Sequence, residues 1–338
     1  MLFSILLFSL TFLLINYLLI TNKYLLDKVD FSKHKKFIQR NEAPITGGLF
    51  LLISIFFFTN KFDKAELILL TCIFLIGFIS DIYKNFLPLI RLMLQVLITL
   101  LFIYILQISI EELRIYFLDE IFSKYKIINI IFTIFCITVL INGSNFIDGV
   151  NLSSTGYYLG LFITLYYLSF NQMIFVDIIF IKKMMILLSI ILIFNFFDKT
   201  LLGDGGVYLI SFLTGFLIID IINQNKIISP YFGVLVLWYP CFENLFSIIR
   251  KKIYKKKSTK PDNLHLHQLI YKYLSLKFNP LITNNLTGFI ILLYNFVIFY
   301  LAYCFYYNSK VLILIFFIAI LTYIIIYICF YRNVSKLK

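Results

Sequence analysis

Charge is what this sequence has least of. Asp, Glu, Lys and Arg make up 14% of its 338 residues, whereas 61% are hydrophobic. Ordinary soluble domains carry ~25% charged and ~45–50% apolar residues, so that class is excluded, in keeping with a mean hydropathy of +0.94. Cysteine is also sparse: Cys72, Cys136, Cys241, Cys304 and Cys329 have no paired spacing and fall within apolar stretches, which argues against a disulfide or zinc framework. The first apolar run has no basic leader and no small-residue cleavage site after it, so it is expected to stay as a helix rather than leave as a signal peptide. No ladder of charge runs through the apolar stretches and no inverted repeat is evident, as a transport path would require. The net charge of +13 is spread over short loops rather than gathered on a basic domain. That excludes a nucleic-acid partner and suits anionic lipid headgroups and anionic substrates.

What remains is an all-α, polytopic membrane protein. A spanning helix needs about 20 apolar residues, and eleven stretches approach this length: 2–20, 46–60, 66–80, 89–107, 127–142, 153–170, 180–196, 206–222, 228–248, 286–307 and 311–330. Ten to eleven spans are therefore expected, in one integral membrane domain over 1–338 with a basic loop at 249–285. Lys182 and Lys183 would be costly at the bilayer centre, which places them at the outer end of the seventh stretch. With the N-terminus outside, the inner segments 21–46, 81–91, 196–206, 249–285 and 331–338 hold 21 of the 30 Lys and Arg. The positive-inside rule favours this orientation.

Alternating the spans puts five polar segments on the inner face. The first, Arg40 to Gly48, leads into a helix through Pro44, and Gly47 and Gly48 allow close backbone approach. Alone it also reads as a helix start with a snorkelling arginine, and His34 upstream reads as a solvated loop residue. The second holds Ser80, Asp81 and Lys84 at the end of one helix, then Arg91 and Gln95 four apart on the next. A plain structural ion pair would also explain it. In the third, Asn142, Asn145 and Asp148 recur at a spacing of three, stacking on one face of a helical turn before Gly149. In the fourth, Asn195 is followed by Gly203-Asp204-Gly205-Gly206 at a helix N-terminus, where free amides and the dipole suit an anion or a metal. Simple capping by Asp204 is the alternative. The fifth follows the basic run from Arg250 to Lys257 and contains His265 and His267, with no cysteine or third histidine nearby to complete a zinc site. Residues 265–280 then read as an amphipathic helix or hairpin on the membrane surface.

Taken in order, these segments resemble the polyprenyl-phosphate N-acetylhexosamine-1-phosphate transferases, of glycosyltransferase family 4, from about Lys33 to Asn285. Pro-x-x-Gly-Gly is Pro44 to Gly48, and Arg91 and Gln95 match the phosphate-side residues. Asn-x-x-Asn-x-x-Asp-Gly is Asn142 to Gly149. Phe194, Asn195, Gly203, Asp204 and Gly206 follow, then His265, His267 and Gln268 in place of His-x-His-His. This chain departs from the pattern in three places. Asp-Asp is Ser80-Asp81, Asp-Gly-x-Asp-Gly is Asp148-Gly-Val-Asn151-Leu152, and the last histidine is Gln268.

The resemblance implies transfer of a HexNAc 1-phosphate from a UDP-N-acetylhexosamine to undecaprenyl phosphate, releasing UMP and starting a cell-envelope glycan such as lipopolysaccharide. It implies Mg²⁺, with Mn²⁺ able to substitute, on Asp204. Asp81, Asp148 and Asp204 are the expected catalytic acids. Arg40, Arg91, Asn142, Asn145, Asn195, His265 and His267 are expected to bind substrate. The expected setting is a bacterial inner membrane with a cytoplasmic active site, membrane lipid as partner, and a homodimer left open. The related phospho-MurNAc-pentapeptide transferases, an inactive homologue and a transporter are the competing readings.

Overall fold

The structure is a computed structural model that describes residues 2–26, 43–83, 85–171, 173–253, 255 and 263–336. Fourteen helices and no strand occur among the described residues. In chain order they are α1 (Leu2–Thr21), α2 (Gly47–Phe58), α3 (Lys64–Ile82), α4 (Pro88–Leu106), α5 (Tyr116–Lys124), α6 (Lys126–Ile147) and α7 (Ser153–Leu168). Then come α8 (Ile178–Phe196), α9 (Gly203–Gln224), α10 (Pro230–Val236), α11 (Trp238–Ile253), α12 (Leu266–Leu274), α13 (Pro280–Cys304) and α14 (Ser309–Ser335). Seven of them, α3, α4, α6, α8, α9, α13 and α14, are long and apolar enough to cross a bilayer, or eight spans if α10 and α11 count together. The protein is an all-α polytopic membrane protein. Every one of the eleven apolar stretches is helical, while α2 and α7, of 12 and 16 residues, are shorter than a full span.

The ninth stretch, 228–248, is not one straight helix, because α10 and α11 meet at 70°. Pro240 explains the break, because it has no N–H to give to the carbonyl of Val236 four residues earlier. That carbonyl accepts the Tyr157 hydroxyl instead, at 2.8 Å.

α9 is apolar all round and buries sixteen of its 22 residues, which makes it the axis of the bundle. α2 and α3 approach it closely because glycines remove the side chains in the way. A Cβ on Gly48 would lie 2.4 Å from the Gly206 nitrogen, and one on Gly77 would lie 2.4 Å from the Asp204 oxygen. Gly48→Ala and Gly77→Ala should each cost about 1–3 kcal/mol through forced displacement. Thermal unfolding in detergent measures this, and wild-type melting of both variants would refute the close packing.

The bundle has two polar ends. At one, Arg114 donates to the carbonyls of Lys226 (2.7 Å), Ile228 (3.1 Å) and Tyr307 (3.4 Å), and Asn223 donates to Ser109. Lys183, in the second turn of α8, belongs to this end: its Nζ is 3.4 Å from the carbonyl of Thr59, the C-cap of α2. The opposite end gathers the polar segments.

Candidate active site

The start of α9 organises this end. Gly203 has φ +71°, a left-handed turn that lets Asp81 pack over it, so that a Cβ there would be 2.8 Å from Asp81 Oδ2. The same oxygen accepts the Gly205 amide at 3.4 Å. Asp81 thus sits at the positive end of the most buried helix. Beside it, Ser80 Oγ donates to Asp204 Oδ2 at 3.0 Å and accepts from Arg91 Nη1 at 2.6 Å. Arg91 Nη1 also lies 3.5 Å from Asp204 Oδ2, with both side chains about one quarter exposed. The second and fourth segments therefore form one cluster of two carboxylates, a guanidinium and a bridging hydroxyl. Asp204 does not act as the side-chain cap of α9.

The other segments build around this cluster. Asn142 Nδ2 donates to Gln95 Oε1 at 2.8 Å, joining α6 to α4 below Arg91. Asp148 accepts the Ser154 hydroxyl from the first turn of α7. Asn145 is half-buried on the same α6 turn. Asn195 is buried and structural in its contacts: its Oδ1 accepts the Leu152 amide at 2.8 Å, and its Nδ2 donates to the Thr200 carbonyl at 3.1 Å. The Pro-Ile-Thr-Gly-Gly segment lies along 200–202, with Gly47 and Gly48 amides donating to the Leu201 and Leu202 carbonyls at 2.9 and 3.0 Å. Arg40, with His34 and Lys84, lies outside the described residues.

The histidine segment closes on the third. The Gly149 position is open to His267, whose Nε2 would be 2.1 Å from an added Cβ. His265 and His267 are both buried, with near-parallel rings 5.8 Å apart. His265 Nδ1 donates to Glu243 Oε1 at 2.9 Å, and Tyr323 donates its hydroxyl to the other oxygen of this fully buried carboxylate. Of the 265–280 segment expected as an amphipathic helix or hairpin, α12 is helical over Leu266–Leu274, and its apolar side packs on α13 and α14. Burial, then the neighbouring His265, holds the His267 imidazole neutral by lowering its pKa from 6.5 to about 3. Its Nδ1 is buried without a partner, as is Gln95 Nε2. Buried polar atoms are seldom left so unless water, an ion or a ligand completes them.

Because the folded protein keeps His267 neutral while an unfolded chain would protonate near pH 6.5, the unfolded state binds more protons below that pH. Stability should therefore fall as pH drops from about 6.5 toward 3, and His267→Gln should flatten that slope. Thermal unfolding across pH 4 to 8 checks it, and equal slopes for the two proteins would contradict it.

Each departure from the expected motif has a local cause. Ser80 bridges Arg91 and Asp204. Gln268 returns to its own helix start, where its Oε1 accepts the His265 amide at 3.1 Å in a capping box. Leu152, at the position of the pattern's second glycine, has φ +66°, the left-handed conformation that glycine would adopt freely, and a non-glycine residue holds it at a cost of about 1–2 kcal/mol. Asn151 donates to Asp198 and Asn285.

Sequence reasoning missed Glu243, Arg250 and Asp198. Glu243 had a signal, an ionisable residue inside the apolar stretch 228–248. Arg250 was read as part of a topology-setting basic run, but it is buried and donates to the Leu264 carbonyl at 2.6 Å, just before the histidines.

Among the described residues no three His, Cys, Asp or Glu gather as a metal-binding group. Asp81 and Asp204 alone fit a Mg²⁺ that keeps waters and phosphate oxygens as its other ligands.

Fold and site define a polytopic membrane protein with a polar, charge-bearing site at one end of its helical bundle. Residues 65–222 match the family described as Glycosyl transferase family 4. Over those residues, a little under half of the chain, the protein is similar to that family. The match takes in Asp81, Arg91, Asn142, Asn145, Asp148, Asn195 and Asp204, and leaves out Arg40, His265 and His267. Comparison with curated proteins finds no match.

Proposed function

We propose that the chain transfers a hexosamine 1-phosphate from a UDP-N-acetylhexosamine to undecaprenyl phosphate, releasing UMP and leaving a lipid diphosphate sugar. The observation that carries this reading is the Asp81–Ser80–Arg91–Asp204 cluster at the N-terminus of α9. Both reactants are anions, so the first task is to hold them together. Arg91 offers a guanidinium already oriented by Ser80 and Asp204, and a helix N-terminus offers free amides. Mg²⁺, when bound through Asp204 with Asp81 beside it, would neutralise the diphosphate and the charge developing on UMP.

The reaction forms a bond from a lipid phosphate oxygen to the β-phosphorus of the donor and breaks that phosphorus from the oxygen bridging to UMP. A phosphate monoester has its second pKa near ~6, so the nucleophile arrives largely ionised. Asp81 has only to orient it and accept any remaining proton. Asn142, Asn145 and Asp148 position the nucleotide. His267, neutral and with an open ring nitrogen, offers a hydrogen bond rather than a charge, while Glu243 fixes the ring of His265.

An almost wholly apolar cavity of about 300 Å³ runs beside α6, α9, α10 and α11, lined by Cys136, Val139, Gly215, Trp238, Cys241 and Phe242. It offers room for part of an isoprenoid tail whose phosphate lies one or two turns away near Asn142. The distribution of Lys and Arg supports an inward-facing site. Single cysteines at the exposed Lys199 and Ser275, at the site end, should resist an impermeant thiol reagent applied outside intact cells, whereas one at Lys226 should react. The reverse pattern would invert the topology.

Purified protein given undecaprenyl phosphate, Mg²⁺ and a panel of UDP-N-acetylhexosamines should release UMP with at least one donor. Absence of acceptor-dependent UMP with every donor would defeat the reading and favour an inactive homologue.

A further inference from the structure

Asp198 lies in the turn between α8 and α9, is 4% exposed, and has φ +53°. Burial of a carboxylate and a left-handed non-glycine backbone are both unfavourable, and surrounding contacts must hold them in place. The contacts come from two other segments. Asn151, itself 1% exposed, donates through Nδ2 to Asp198 Oδ1 at 2.6 Å and to Asn285 Oδ1 at 3.0 Å. Two acceptors on one nitrogen fix which way this amide points. The Asn151 backbone amide donates to Asn284 Oδ1 at 3.1 Å, and Asn285 Nδ2 donates to the Phe196 carbonyl at 3.1 Å. Gly288 leaves room for this, since a Cβ there would be 1.8 Å from the Asn151 carbonyl oxygen.

The turn after Asp148, the turn before Asp204 and the start of α13 are thus tied at one point. The aspartate-rich pattern that the sequence resembles has a carboxylate at 151, and here that position carries an amide bonded to a carboxylate from the neighbouring turn. An aspartate at 151 would face Asp198 across the same 2.6 Å, so the two residues can share only one negative charge. We propose that Asp198 is a positioning residue: its carboxylate, bonded to Asn151, braces the turn after Asp148 against the turn before Asp204.

The proposal rests on the transferase reading for its activity arm alone. Asp198→Asn keeps an acceptor for Asn151 and should fold, yet should lower kcat for UMP release by ~10-fold or more with the donor KM changed less than ~3-fold. Asn151→Asp should be worse, and the swap Asn151→Asp/Asp198→Asn should recover most of the loss, because it restores one carboxylate and one amide. A merely structural role would restore kcat only as far as the swap restores the melting temperature, so both are measured for each variant. Full kcat in Asp198→Asn, or a swap variant that melts like wild type but is no better than Asn151→Asp, would overturn it.

If the wild type releases UMP from no donor, the substrate reading falls by itself and the brace is judged by melting. Non-additive effects, with the swap more stable than the sum of the single losses, would support it, and strictly additive losses would overturn it.

Discussion

Asp204→Asn should lower the rate of UMP release by about 10²–10³-fold or more while leaving the melting temperature nearly unchanged. The geometry separates the two effects. The Asn oxygen can still accept the Ser80 hydroxyl, now 3.0 Å from Asp204 Oδ2, so the join between α3 and α9 survives. The negative charge that faces Arg91 at 3.5 Å and that would neutralise a divalent cation does not. Titrating Mg²⁺ against initial rates reads the loss. Full activity of Asp204→Asn at ordinary Mg²⁺ would remove Asp204 from that role.

The next largest effect concerns the pair at 80 and 81, where the resemblance leads one to expect two aspartates. Asp81→Asn should be strongly damaging, because it removes a carboxylate placed over Gly203 and bonded to the Gly205 amide. Ser80→Asp should add little activity or lower it. Ser80 Oγ is a donor to Asp204 and an acceptor from Arg91, and an ionised aspartate can only accept. It would set two carboxylates face to face, a repulsion of about 4 kcal/mol at ~4 Å and an effective dielectric near 20, before Arg91 and solvent compensate. Initial rates for both variants over pH 6 to 9 decide the matter. A large gain from Ser80→Asp, or an unimpaired Asp81→Asn enzyme, would mean that the working acid has been assigned to the wrong residue.

Much of this arrangement is legible in the sequence because a membrane imposes simple rules. Apolar length gives the helices, and alternation of spans brings Asp81, Arg91, Asn142, Asp148, Asn195, Asp204 and the histidines to one end. The helical spacing of Asn142, Asn145 and Asp148 shows in the α6 turn, and Gly47, Gly48, Gly203 and Gly205 mark backbone that must come close or turn left. What stays hidden depends on contacts between distant segments. The 70° bend at Leu237 follows from Pro240, but an apolar run masks it until the Val236 carbonyl is seen to find Tyr157. Glu243 has meaning only when His265 and Tyr323 converge on it. Asn195 and Asn151 look like ligand-binding groups by type, yet their bonds go to Leu152, Thr200, Asp198 and Asn285. Arg250 looks like a topology signal and is a buried prop for the histidine loop.

In the proposed reaction the sugar leaves its donor together with a phosphate. The direct measurement uses UDP-N-acetylhexosamine labelled with ³²P at the β-phosphate, incubated with the purified protein, undecaprenyl phosphate and Mg²⁺, followed by separation of lipid from aqueous products. Label should enter the lipid fraction in step with release of unlabelled UMP, and both should be lost in Asp204→Asn. Label remaining in aqueous UDP while the sugar alone moves to the lipid, or no acceptor-dependent product with any donor, would contradict that reaction.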